Sequence, residues 1–175
     1  EIDPLEQIDE DSFPKGLNIT QECNEALKML KGNREERIQG LRIFCEYRDS
    51  RSFPLLLPLL DQPCPVERMS VVYALGRNPC PSAVEKLVSL LETDDNAYVR
   101  RATAWSLANY DNQIVLEPLI NALKNDVAAV RLWSSSSLAE IGNVSLENAQ
   151  LAAEQLLISL KIDNEPGVRS NCIWS

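Results

Sequence analysis

The chain has 175 residues, 45% of them hydrophobic, which suits one folded domain or one run of stacked repeats. With 26 acids against 17 bases the net charge is −9, and no basic block interrupts it, so nucleic acid and anionic membrane surfaces are excluded as partners. The chain has no histidine, which removes the usual general base and the commonest metal ligand. The five cysteines form no Cys-x-x-Cys, which speaks against a zinc finger or a full disulfide set and for reduced, cytoplasmic thiols.

Residues 1–16 hold six acids and one base and read as a flexible acidic leader. From 17 to 175 the chain repeats itself. The segment Val99-Arg100-Arg101-Ala102-Thr103-Ala104-Trp105-Ser106-Leu107-Ala108 aligns with segments opening at Glu36, Glu67, Val130 and Val168. Arg37, Arg68, Arg100, Arg131 and Arg169 therefore take one position, spaced by 31, 32, 31 and 38 residues. Upstream of each arginine, a second apolar segment ends at Leu30, Leu60, Leu91, Leu123 or Leu160, at intervals of 30, 31, 32 and 37. The two registers drift together, as they do when one unit recurs.

Each unit reads as two helices. The first unit, about 20–48, has Thr20 as a candidate N-cap. In the second, about 52–78, Pro54 suits a helix start and Pro58 predicts a kink; Gly76 falls where the second helix would end. The third, about 82–110, opens on Ser82 with Glu85, the form of a capping box, and places Val84, Leu87, Val88 and Leu91 at helical spacing. The fourth, about 114–142, carries Pro118 near a helix start and Gly142 near an end, and the fifth, about 146–175, is capped by Ser145. The sequence lacks an initiator Met and stops inside a helical pattern, so it reads as part of a longer protein with its last unit truncated. Helix pairs of this length cannot bury their apolar faces alone. The expected fold is all-α, a right-handed α-solenoid of stacked antiparallel helix pairs.

Two sets of residues stand out. Asp61, Asp95, Asp126 and Asp163 lie five to seven residues before Arg68, Arg100, Arg131 and Arg169. An arginine fork binds a carboxylate and loop carbonyls together, so these read as a ladder tying neighbouring units, or else as an anion-binding row in which Arg37, lacking its Asp, is the most available. The second set occupies a slot six residues into the second helices: Arg42, Tyr73, Trp105, Ser136 and Trp174, with Met69, Arg101, Leu132 and Trp133 beside it. Such residues are enriched at binding hot spots, and the slot points toward the concave side; packing between units is the other reading. Cys64 and Cys80 flank one helix too far apart to share a metal, and Cys172 takes a core slot. No nucleophile stands beside an evident base, so the residues point to a non-catalytic protein-binding scaffold without metal or cofactor.

The pattern Val-Arg-x-x-Ala-x-x-(Ala/Ser)-Leu, preceded by Leu-Leu-x-x-Asp, resembles the HEAT repeat, and the period near 31 looks like the phycobilisome-lyase HEAT-like subclass. The stretch from Leu160 to Trp174 is similar to a cyanobacterial group of such proteins. This resemblance implies one of two functions. One is scaffolding for an iron–sulfur assembly protein or a phycobiliprotein. The other is a phycobilin lyase subunit, half of a heterodimer, clasping phycocyanobilin between Tyr73, Trp105, Arg101 and Arg42, or another phycobilisome-associated factor.

Overall fold

A computed structural model of the chain describes residues 19–110, 113–142 and 145–175; the acidic leader lies outside them. Every regular element there is helical. Ten α-helices follow in sequential pairs: α1 (Ile19–Met29) and α2 (Arg34–Glu46), α3 (Phe53–Leu56) and α4 (Pro65–Arg77), α5 (Val84–Thr93) and α6 (Ala97–Leu107), α7 (Leu116–Asn125) and α8 (Ala128–Gly142), α9 (Leu146–Ile162) and α10 (Pro166–Trp174). The second helices α2, α4, α6, α8 and α10 pack side by side along the array, whereas the first helices touch one another more sparsely.

Local chemistry sets the helix starts. Asn33 caps α2 in a full capping box: its side chain accepts the amides of Glu35 and Glu36, and Glu36 accepts the Asn33 N–H at 2.7 Å. Asn96 and Ser145 cap α6 and α9 through their side chains. Two expected caps fall elsewhere. Thr20 lies within α1, and Ser82 sits in a short 3-10 turn, Pro81–Ala83, ahead of α5, with its hydroxyl against the Cys80 sulfur. Pro58 has no N–H for the helical ladder, and after α3 the backbone tightens into a 3-10 segment, Leu57–Asp61. Leu56 and Leu60 still reach the core, at 0% and 1% exposure, so the break leaves the apolar face of that unit intact.

One continuous core runs through all five pairs, from Cys23 and Phe44 to Val168 and Cys172. Polar side chains stitch unit to unit at the ends of the second helices. The Asn78 amide donates to the carbonyls of Phe44 and Tyr47, and the Tyr110 hydroxyl donates to the Leu75 carbonyl at 3.1 Å. Burial pushes the Tyr110 phenol up to about 12, so it stays a neutral donor.

Gly76 has a different role from the helix stop expected of it. A Cβ there would lie 2.4 Å from the Trp105 ring of the next unit. Gly76→Ala is therefore expected to lose about 1–3 kcal/mol to overpacking despite alanine's better helix propensity. The check is thermal melting in two backgrounds: the loss should shrink sharply when Trp105 is already alanine, and an equal loss in both would place the strain elsewhere.

Candidate partner-binding face

The arginine ladder is built from two kinds of bond. Each arginine reaches a carbonyl of its own inter-helix loop: Arg37 to Gly32, Arg68 to Gln62, Arg100 to Asp94, Arg131 to Asp126 and Arg169 to Asp163, all at 2.8–3.0 Å. Each of the first four also grips a carboxylate of the following unit. Arg68 holds Asp94, Arg100 holds Asp126 and Arg131 holds Asp163, each through Nε and Nη2 at 2.7–2.9 Å. The ladder departs from the sequence expectation at three places. Its third-unit acid is Asp94; Asp95 contributes only a carbonyl to Arg100. Asp61 is exposed and pairs with Lys86. Arg37 is not available, because Glu67 takes its guanidinium at 2.5 Å. Glu67 stands where the other units have Val99, Val130 and Val168, and is 1% exposed. A carboxylate from the core slot of unit two thus takes the place of its loop aspartate, Asp61, which is turned to Lys86. Arg169 alone of the five pairs with no carboxylate among the described residues.

Arginine forks set the carboxylate ionisation. Arg131, with the Glu165 amide, holds Asp163 below the usual carboxylate range. At Asp94 burial pushes the carboxyl up, but Arg68, the Asn96 amide and Arg100 outweigh it, and the net shift is downward. Beside the Arg100–Asp126 pair lies a groove of about 420 Å³ between α5 and α7, with Leu91, Pro118 and Asn121 in its walls. It opens on the first-helix side, away from the aromatic slot.

On the second-helix side the structure gathers part of the predicted set. The Tyr73 and Trp105 rings meet at 5.3 Å between centroids, tilted by 56°. Arg101 donates through Nη2 to the Tyr73 hydroxyl at 3.4 Å, and its guanidinium carbon sits 5.7 Å from the Tyr98 ring centroid. Its Nε is shielded from solvent and has no hydrogen-bond acceptor. Among the described residues no carboxylate pairs with Arg101. Tyr98 was missed in the sequence, yet its spacing of three and seven from Arg101 and Trp105 puts all three on one face of α6. Met69, Tyr73, Leu132 and Trp133 are half-buried and also pack on the core. The unit-four slot, Ser136, is reached by the Asn171 amide of α10. Arg42 on α2 is exposed, and Trp174 on α10 is 87% exposed.

Among the thiols, Cys64 differs from the rest. It occupies the N-cap of α4, where the amides of Glu67 and Val66 and the Arg34 guanidinium at 3.0 Å hold it below the ordinary thiol value. Burial pushes Cys45 up to about 12. Iodoacetamide near pH 7.5 should therefore label Cys64 first, and Arg34→Ala should slow that labelling. Peptide mapping showing Cys45 or Cys172 modified first would contradict the geometry.

A core built from repeated helix pairs, a layer of second helices packed side by side and a loop-edge ladder define an α-solenoid. Its family is shown by the match of the HEAT repeats description to residues 24–108 and again to residues 84–175: the chain belongs to the HEAT repeats. No curated protein matches the sequence. Among solved structures, it is similar to a chain in the complex of CpcE and CpcF of phycocyanin lyase from Nostoc sp. PCC7120, with a TM-score of 0.74 and 19% identity over 89% of this chain and 98% of that one. At that identity the likeness establishes the fold. Among the described residues no helix is long and apolar enough to cross a membrane.

Proposed function

We propose that the chain is one subunit of a hetero-oligomeric assembly of the phycobilin lyase type, using its second-helix face to hold a partner protein and its bilin. The observation that carries this is the Tyr73–Arg101–Trp105 patch, where an arginine with an unmatched N–H and no carboxylate lies among partly exposed rings. An open-chain tetrapyrrole bears carboxylates on a flat apolar body, and this patch offers both complements. The likeness to a chain of a lyase heterocomplex adds support by analogy of fold. A purely structural scaffold is the second reading, favoured by the half-burial of Met69, Leu132 and Trp133 against the core. The narrower idea of an iron–sulfur assembly partner finds no support in the geometry or in the comparisons.

The test is coexpression with phycocyanobilin synthesis and a candidate second subunit, reading red absorbance of the purified complex. Retained bilin, weakened about thirtyfold or more by Arg101→Ala, is the expected result. A colourless complex that forms equally well with Arg101→Ala would leave the scaffold reading standing and remove the lyase one.

A further inference from the structure

The seams between successive first helices are not equivalent. In the leucine register Asp61, Glu92 and Lys124 share one position, directly after Leu60, Leu91 and Leu123. Lys86, Pro118 and Gln155 share another, upstream of Leu91, Leu123 and Leu160 by the same interval. Between units two and three the two positions meet in an ion pair, with Lys86 reaching across to Asp61. Between units four and five they are Lys124 and Gln155, which offer no acid. Between units three and four they are Glu92 and Pro118, and both line the groove of about 420 Å³. A proline ring supplies no cation, so Glu92 pairs with no base among the described residues. The other charges in the lining, Arg100 and Asp126, neutralise each other through two hydrogen bonds. The groove therefore carries one uncompensated negative charge beside an apolar wall of buried Leu91 and Ala122 and exposed Val127. Along α7, Asn125 donates to Asn121 Oδ1 at 2.7 Å, which leaves the Asn121 amide hydrogens and the Asn125 side-chain oxygen without partners among the described residues. These are the complements of a peptide carbonyl and a peptide N–H.

We propose that the α5–α7 groove is the docking site for an extended segment of a partner protein that carries a lysine or arginine beside an apolar side chain. The base pairs with Glu92, taking in trans the place that Lys86 takes toward Asp61 one unit earlier. Its methylene stem and the apolar neighbour rest on Leu91, Ala122 and Val127, and the segment's main chain meets Asn121 and Asn125. A solvent-exposed ion pair contributes little by itself, so apolar contact supplies most of the affinity and Glu92 selects the sign of the charge. Both walls belong to units inside the array. The chain's own residues 1–16, with six acids and one base, have the wrong charge for this site. The groove lies on the first-helix side and goes beyond the Tyr73–Arg101–Trp105 face of the proposed function.

The experiment selects phage-displayed short random peptides on the full chain after depleting the library on Pro118→Lys. That variant returns the missing base to α7 and should seal the groove against Glu92 with the melting temperature nearly unchanged. The expected survivors pair a lysine or arginine with an apolar neighbour. By fluorescence anisotropy, the leading peptide should bind Glu92→Lys about tenfold more weakly or worse, and exchanging its base for glutamate should recover binding to that variant. Glu92 is exposed, so the exchange reads recognition and not folding. Arg101→Ala should bind the peptide as the parent does, which separates failure here from failure of the bilin reading. Survivors without a base, binding undiminished by Glu92→Lys, or no peptide left after the depletion would each overturn the inference. So would a dimer of this chain, seen by sedimentation, that Glu92→Lys dissociates, since the groove would then hold a second copy.

Discussion

Replacing Leu107 with aspartate is expected to abolish the folded array. Leu107 is 0% exposed at the end of α6, and α6 packs against α5 and between α4 and α8, so its position is shared by three units. Leu107→Ala should cost about 2–5 kcal/mol through lost contacts and a cavity. The aspartate adds a carboxylate with no partner in an apolar core, which carries the loss beyond about 4 kcal/mol, a large fraction of the stability of a domain this size. Circular dichroism and urea titration read the result directly. A Leu107→Asp chain melting within a few degrees of the parent would mean that the slot is open to water.

Arg68→Ala is the second large effect, expected to cost about 3–5 kcal/mol because it strands Asp94 rather than merely removing a bond. The Asp94 side chain is 3% exposed, and after Arg68 is removed only the Asn96 amide remains bonded to it. The double variant with Asp94→Ala should therefore be less destabilised than the sum of the two singles. The pH dependence has a fixed sign. Because Asp94 and Asp163 sit below the usual carboxylate value when folded, their contribution is complete above the unfolded value, near ~3.9, and is lost as pH falls through the folded one. The raised arginine values act only in strong alkali. The penalty of Arg68→Ala at neutral pH should thus shrink below about pH 4; a penalty constant from pH 7 to pH 3 would assign it to packing by the arginine stem.

The helix pairs were legible because the Val-Arg register and the leucine register repeat independently, and each is a packing requirement. The ladder's arginines were legible for the same reason, but its acids were not. Asp94 and Asp95 are adjacent, and only the direction of the chain leaving α5 decides which carboxylate turns toward Arg68. Glu67 was harder still, since a glutamate in a valine slot reads as a departure until Arg37 is seen beside it. For Trp105 the sequence leaves groove and packing open, and the structure shows the packing: Gly76 provides the space for the ring, and Tyr73 lies against it. Its removal should therefore lower stability as well as binding, which makes Arg101 the cleaner probe of the face.

The stitching between units also bears on how fast the chain finds its shape. The hydrogen bond from Asn171 to the Leu132 carbonyl spans 39 residues, and the ladder pairs span 26 to 32. Bonds of this kind close loops of about one repeat, so little chain entropy is lost before a contact forms. Helical proteins with such local contacts fold in microseconds to milliseconds. Assembly can begin at whichever pair of units meets first and spread outward in both directions, each completed rung lowering the barrier for the next.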